Sequence, residues 1–288
     1  MRVIVLGAGG MLGHKLLQRL RCVCDVAGTI RSGAADAELE GVLRDVKLYP
    51  NVDVWRLQSI DEAIDDWRAD VVVNCVGIIK QIKTASAPVE SIAVNALFPH
   101  QLAQLTAAHT SRLIHISTDC VFSGARGNYT EDDPPDPIDL YGRTKWLGEV
   151  VAPRALTLRT SIIGQELRGH YGLIDWFLTQ RGGRAKGYAN ARYSGLTTLV
   201  FANVVSDIIR SHPDLHGLWH VSGDPTNKFD LLQIVNRVYG LGVDLVRENG
   251  FVCDRSLDST RFRQHTGWRP PSWDDMIVGM HAETLQYA

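Results

Sequence analysis

Arg2-Val-Ile-Val-Leu6 runs straight into Gly7-Ala-Gly-Gly-Met-Leu-Gly13, after which Met11 to Leu20 carries apolar residues at helical spacing. A short, nearly continuous apolar run reads as a strand buried on both faces, as in a parallel sheet. The turn after it needs glycine for steric reasons. The backbone turns tightly, a diphosphate can approach the main chain, and the first N–H groups of the following helix point at it. The spacing is Gly-x-x-Gly-x-x-Gly, and Gly9 blurs its distinction from Gly-x-Gly-x-x-Gly. In this strand–turn–helix setting, Gly7, Gly10, Met11, Leu12 and Gly13 are read as the loop that holds a dinucleotide. A tight β–α turn without a ligand is the alternative.

Outward from that loop the chain alternates. Val26 to Ile30 reads as a second strand, Val52-Asp-Val54 as the end of a third, and Asp70 to Val76 as a fourth. Arg112 to Ser117 and Ala155 to Ser161 follow as further strands. Helical patterns lie between them over 59–67, with Ser59 as its N-cap, over 91–109 and over 141–150. Repeated β-α alternation predicts a parallel sheet with right-handed crossovers. The expected fold is α/β: a Rossmann-type doubly wound parallel sheet with a smaller, partly discontinuous C-terminal substrate lobe. The expected boundaries are residues 1–165 for the NAD(P)-binding domain and 166–288 for the lobe, with a strand near 217–222 rejoining the sheet. Ligands in such sheets bind at the carboxyl ends of the strands.

Those strand ends supply the remaining cofactor candidates. An acid after the second strand would hold a ribose 2′-hydroxyl, whereas a base accommodates a 2′-phosphate. The segment reads Thr29-Ile-Arg31-Ser32, so Arg31 favours NADPH, with NADH as the second choice; a solvated surface arginine is the bland alternative. Asp53 and Val54 are placed beside the adenine. Cys75, Val76 and Gly77 end the fourth strand and are expected to pass under the cofactor.

A second cluster bears on proton transfer. Tyr141 and Lys145 are spaced i, i+4, so they share a helix face. A tyrosine ionises near pH ~10 in water, and a neighbouring ammonium stabilises the phenolate and lowers that value. Ser117-Thr118, at the end of a strand, offers a hydroxyl that can hold a substrate oxygen. Phenol, ammonium and hydroxyl beside a nicotinamide are what carbonyl reduction needs. The Tyr-x-x-x-Lys spacing alone occurs by chance in many helices; its place after the Ser-Thr-Asp strand end gives it weight.

Composition is compatible with this reading. The chain has 288 residues, 45% apolar and 22% charged, with a net charge of -2. That balance leaves no electrostatic footprint for nucleic acid or an anionic membrane. No apolar run approaches the ~20 residues a membrane span needs. The N-terminus enters a strand-like run at once, without a basic region or cleavage site, so no signal peptide is read. The five cysteines, an odd number without secretion cues, fit a reducing cytoplasm. Cys22-x-Cys24 has no second ligand pair at metal spacing, and His212, His216 and His220 are split by Pro213, so no metal is expected.

Taken together, these motifs resemble the extended short-chain dehydrogenase/reductases, and within them the dTDP-4-dehydrorhamnose reductases. The matching residues are Gly7 to Gly13, Asn74-Cys-Val, Val94-Asn95, Ser117-Thr-Asp-Cys-Val-Phe-Ser-Gly124, Glu131, Pro137, Tyr141-Gly-Arg-Thr-Lys145, Gly148-Glu149 and Leu158-Arg-Thr-Ser161. The resemblance covers roughly the first 165 residues. It implies Thr118, Tyr141 and Lys145 as the catalytic set, with Asn95 near the active site. It implies NAD(P)H-dependent reduction of the 4-keto group of a nucleotide-linked 4-keto-6-deoxyhexose, for deoxysugar and polysaccharide biosynthesis. The rival readings are a nucleotide-sugar epimerase of the same superfamily and a non-catalytic regulatory subunit.

Two departures bear on the substrate. Cys120 stands where the family has tyrosine, and is read as a small wall rather than a nucleophile. Arg192-Tyr-Ser-Gly-Leu-Thr-Thr198 stands where relatives carry Asp-Gln-x-Gly-x-Pro-Thr; Arg192 replaces the acid and Thr197 the proline. Lys80-Gln81 is placed near the sugar, and His170-Tyr171 and Trp176 in the sugar or base pocket or in lobe packing. Arg181, Arg184, Lys186 and Arg192 are the cations available to a diphosphate, with a solvated turn as the alternative for the basic run. The expected partners are a nucleotide-sugar and, for assembly, a second copy of the chain.

Overall fold

In the computed structural model, residues 1–80, 87–167 and 171–284 are described. Six strands are β1 (Arg2–Leu6), β2 (Asp25–Thr29), β3 (Lys47–Tyr49), β4 (Val71–Asn74), β5 (Arg112–Thr118) and β6 (Ala155–Thr160). Between them lie helices α1 (Gly13–Leu20), α2 (Ala37–Val42), α3 (Leu57–Trp67), α4 (Pro88–Ser91), α5 (Phe98–Ala108) and α6 (Leu140–Leu147). A π-helical segment, Ile92–Leu97, joins α4 to α5. The rest comprises β7 (Ile162–Ile163), α7 (Leu173–Leu178), β8 (Arg184–Tyr188), β9 (Ala191–Tyr193), β10 (Leu196–Thr197), α8 (Thr198–Ser211), β11 (Gly217–His220), β12 (Thr226–Asn227), α9 (Lys228–Val238), β13 (Asp244–Glu248), β14 (Cys253–Asp254), α10 (Thr260–Thr266) and α11 (Trp273–Thr284).

The seven-stranded sheet has the order β11-β6-β5-β4-β1-β2-β3. Pairing is parallel between β1 and β2, β1 and β4, β2 and β3, and β4 and β5. The physical reason is in the sequences. Val3 to Leu6 and Val71 to Val73 are buried along their whole length, which the interior strands of a two-sided sheet require. Leu16, Leu17 and Leu20 form the buried stripe of α1. One core joins Ile4, Leu6, Ile60, Ile64, Val72, Phe98, Leu102 and Leu113.

Contacts divide the chain into two units. The first comprises Met1–Ser117, Asp139–Leu158 and Ala202–Leu218; the second comprises Thr118–Ile138, Arg159–Phe201 and Trp219–Ala288. The units thus interleave along the sequence. The second unit holds small sheets: β7 beside β10, β8 beside β13, and a three-stranded sheet β12-β9-β14. Phe122 stacks on Tyr129 with ring centroids 4.1 Å apart, and Val121 and Leu257 close that cluster.

Several elements differ from expectation. The third strand is Lys47–Tyr49, not the residues before Val54; Asn51, at φ 58, has by then turned the chain. Asp53 and Val54 lie in the loop beyond it, where Val52 and Val54 pack on the core. Helix α3 starts two residues before Ser59, and the Ser59 hydroxyl donates to the Arg56 carbonyl at 2.7 Å. The helix over 91–109 is interrupted by the π-helical turn. No helix among the described residues is long and apolar enough to cross a membrane.

Candidate active site

The glycine loop is shaped by two close approaches. Gly7 sits at φ +87, in the left-handed region, and its N–H donates to Thr29 Oγ1 at 3.3 Å. A Cβ on Gly13 would lie 2.1 Å from the Gly7 carbonyl oxygen, so the first turn of α1 folds back on the strand end only without a side chain there. A Cβ on Gly7 would meet Val76 at 3.3 Å and the Cys75 carbonyl carbon at 3.4 Å. The loop therefore lies against the end of β4, and Gly7, Gly13, Cys75 and Val76 come together. His14 Nδ1 donates to the Gly10 carbonyl at 2.8 Å, and burial pushes this histidine down to about 4, so it is a neutral strut. Leu12 offers the helix no side-chain cap. Uncapped N–H groups in a glycine cradle at a helix N-terminus fit an anion such as a dinucleotide diphosphate. Arg31, just past β2, is exposed. Asp53 accepts from the Trp55 N–H at 3.1 Å.

Asn95 ties the end of β4 to the helix of the tyrosine. Its Oδ1 accepts from Ile78 N at 2.8 Å, and its Nδ2 donates to Ile78 O at 3.0 Å and to Thr144 Oγ1 at 3.4 Å. Asn95 belongs to the π-helical segment, a geometry that concentrates at functional sites. Gly148, which ends α6, is pressed on it: a Cβ there would lie 1.9 Å from the Asn95 carbonyl oxygen. Helix α6 is capped by Asp139, whose side chain accepts from Gly142 N at 2.8 Å and pairs with Lys80 at 2.6 Å.

On α6, Tyr141 is half-buried and Lys145 buried. The Lys145 ammonium donates to the Ile116 carbonyl at 2.7 Å. Burial pushes it down to about 8, while Glu149 pulls in the opposite direction. The Cys75 thiol is pushed up to about 12 by burial, so it stays protonated. Ser117 Oγ donates to Glu149 Oε1 at 2.7 Å, which commits that hydroxyl to the carboxylate. His115, held well below its usual range by burial, lies beside Asn74 at 3.1 Å. It is neutral and adds no charge next to Lys145. Neither the Asn95 clamp nor the Asp139 cap was singled out as such by the sequence, although Asp-x-x-Gly before Lys145 has the spacing of an N-cap.

In the second unit, Thr118 closes β5. Its hydroxyl donates to Asp119 Oδ1 and accepts from Cys120 N, both at 3.1 Å. Trp176 is exposed on α7. Arg181 donates to the Gly240 carbonyl at 2.9 Å and the Tyr239 carbonyl at 3.3 Å. Arg192 pairs with Asp254 at 3.6 Å. Gln81 and His170 lie outside the described residues.

Residues 1–247 match the family model described as the RmlD substrate binding domain. The chain belongs to this family. This RmlD-type chain is 31% identical over 245 residues to a probable dTDP-4,6-dihydroxy-2-methyloxan-3-one 4-ketoreductase of Streptomyces antibioticus, across 83% of this chain and 77% of that one. It is 25% identical over 307 residues to a dTDP-4-dehydrorhamnose reductase of Aggregatibacter actinomycetemcomitans, across 98% of both. A solved dTDP-4-dehydrorhamnose reductase from Bacillus anthracis, in complex with NADP, matches with a TM-score of 0.78 at 20% identity, over 98% of this chain and 99% of that chain. At that identity the likeness is one of fold: the RmlD-type chain has the Rossmann-like architecture of the extended short-chain reductases.

Proposed function

We propose that this chain is an NAD(P)H-dependent oxidoreductase that reduces the 4-keto group of a nucleotide-linked 4-keto-6-deoxyhexose, in deoxysugar and polysaccharide biosynthesis. The observation that carries the reading is Tyr141 and Lys145 on one turn of α6, a helix capped by Asp139 and tied through Asn95 to the strand end beside the glycine cradle. The names of the full-length relatives support the same chemistry. When bound, the nicotinamide supplies a hydride. Tyr141 gives its phenolic proton to the substrate oxygen, the Lys145 ammonium makes that phenol acidic enough to do so, and the Thr118 hydroxyl holds the oxygen. Both hydroxyls already donate, Ser117 to Glu149 at 2.7 Å and Thr118 to Asp119 at 3.1 Å, and the longer bond of Thr118 is the easier to exchange for a substrate oxygen.

Gly7, Gly10, Met11, Leu12, Gly13, Cys75, Val76, Gly77 and Asn95 line the cofactor in this proposal, with Asp53 and Val54 at the adenine. Arg31 favours NADPH, and NADH is the second choice. Lys80, Cys120, Trp176, Arg181 and Arg192 are the substrate candidates. Lys80, Arg181 and Arg192 each have a partner inside their own unit, so a ligand would have to displace it. The exposed apolar residues Val89, Ile92, Leu97, Trp146, Leu147 and Val151 of the first unit suit a homodimer, which light scattering would report. The cytoplasm is the proposed compartment.

The test is a screen of dTDP-, UDP- and GDP-linked 4-keto-6-deoxyhexoses for net NADPH consumption. Stoichiometric oxidation with one of them supports the reductase. An altered sugar stereocentre without net consumption indicates an epimerase, and binding without turnover of any sugar indicates a regulatory subunit.

A further inference from the structure

The four cations of the second unit that the sequence offers to a diphosphate are all engaged. Arg181 serves two carbonyls, Arg184 lies 3.3 Å from Asp244, Lys186 lies 3.4 Å from Glu248, and Arg192 lies 3.6 Å from Asp254. Lys228 differs. It opens α9, just past β12, which pairs with β9 so that Thr226 sits opposite Tyr193. Among the described residues its ammonium has no hydrogen bond and no carboxylate within ion-pair distance; it lies 3.6 Å from the centroid of the Tyr193 ring. Tyr193 is 3% exposed, and its hydroxyl is buried without a partner among the described residues.

The groups whose charges act on Lys228 are Asp119, Cys120, Cys253 and Arg255. Arg255 donates to the Phe122 carbonyl at 2.9 Å. Asp119 is buried, and burial holds its carboxyl above the usual carboxylate range. Lys228 and Arg255 thus both lie in the field of the buried Asp119 carboxyl. Burial pushes the Lys228 ammonium down to about 8. Lys228 as a whole is half-buried; an ammonium largely withdrawn from water without a hydrogen-bonded counter-ion is costly to the fold, and an aromatic face offsets only part of that cost. The complement of such a site is an anionic oxygen. Asp119 and Cys120 directly follow Thr118 in the chain, which places the cation near the hydroxyl proposed to hold the sugar.

We propose that Lys228 is the anion-receiving residue of the substrate lobe, taking a negatively charged oxygen of the nucleotide-sugar over the Tyr193 ring. This rests on the reductase reading for the identity of the ligand. The oxygen comes either from the diphosphate or from a carboxylate on the sugar; an uncharged sugar oxygen would leave the Lys228 ammonium without an anionic hydrogen-bond partner.

The test is calorimetric titration of the NADPH-loaded protein with UDP, UDP-glucose, UDP-glucuronate, dTDP and dTDP-glucose. Wild type, Lys228→Met and Lys228→Arg are compared. A charge-assisted contact predicts a weakening of roughly ten- to a hundredfold in Lys228→Met and retention within about threefold in Lys228→Arg. Loss on every nucleotide assigns the oxygen to the diphosphate; loss on UDP-glucuronate alone assigns it to a sugar carboxylate. Wild-type affinity should also fall as pH rises through about 8, and Lys228→Arg should remove that dependence. Lys228→Met binding every probe within about twofold of wild type overturns the proposal, as does wild type that binds NADPH but none of the probes. If Lys228→Met does not fold, an identical pH dependence in wild type and Lys228→Arg overturns it. The reductase reading fails on a different result, the absence of NADPH consumption with any keto sugar.

Discussion

Gly148→Ala tests whether α6 is held in place by its contact with Asn95. The added Cβ would lie 1.9 Å from the Asn95 carbonyl oxygen and 3.0 Å from its carbon. Both are backbone atoms inside a packed unit, so no side chain can swing aside. A Cβ stays at least 3.0 Å from such an atom, so the two backbones must part by about 1 Å. Overpacking of that kind costs about 1–3 kcal/mol of stability. The same displacement moves Lys145, three residues earlier, away from the Ile116 carbonyl it now reaches at 2.7 Å. A misplacement of ~1 Å in a reacting group costs on the order of 10² in rate. Thermal unfolding and steady-state kinetics on the identified sugar are the assays. Gly148→Ala should melt below wild type, lose about a hundredfold in kcat, and bind NADPH through an unaltered glycine loop. Wild-type melting and wild-type kcat together would refute the clamp.

Arg31→Ala should lower the preference for NADPH over NADH by roughly ten- to a hundredfold, the worth of one charge-assisted contact to the 2′-phosphate; equal effects on both cofactors, or none, reject the role. Lys145, pushed down to about 8 by burial, is charged below that pH and neutral above it. Only the charged form acidifies Tyr141, so kcat/KM for reduction should decline as pH rises through about 8. Glu149 raises the lysine's value, and Glu149→Gln should move the declining limb to lower pH. A profile that stays flat to pH ~10, the ordinary tyrosine value, would contradict both statements.

The parts of the candidate site written in short spacings were legible in the sequence. Arg2 to Gly13 carries strand, turn and helix in consecutive residues, and Tyr141 and Lys145 need only the helical period to meet. The third strand was misplaced because Lys47-Leu-Tyr49 is three residues long and pairs on one side only, with β2. Nothing in so short a piece separates it from the apolar residues of the following loop. The π-helical turn at Asn95 goes with tertiary contacts, the Ile78 bonds and the Gly148 approach, which no local pattern encodes. The interleaved second unit is assembled by bonds such as Tyr129 N to Ser256 O and Asp254 N to Gly124 O, over separations that periodicity cannot see. The proposed role of Lys228 was invisible in the sequence for a related reason. A basic run such as Arg181 to Lys186 draws the eye, yet its members pair with acids or carbonyls, whereas a lone lysine at a helix start gains its setting only from the fold.

The central claim is that Tyr141 is the proton donor of a carbonyl reduction. The most direct measurement is the turnover of Tyr141→Phe on the keto sugar that wild type reduces, taken together with its NADPH affinity. Removing the hydroxyl leaves the ring, the cap at Asp139 and the glycine cradle in place. The account predicts a loss of about 10²–10⁴-fold in kcat, the scale of general acid catalysis, with NADPH affinity close to wild type. A variant that keeps more than about a tenth of wild-type turnover, far short of that scale, would contradict the mechanism.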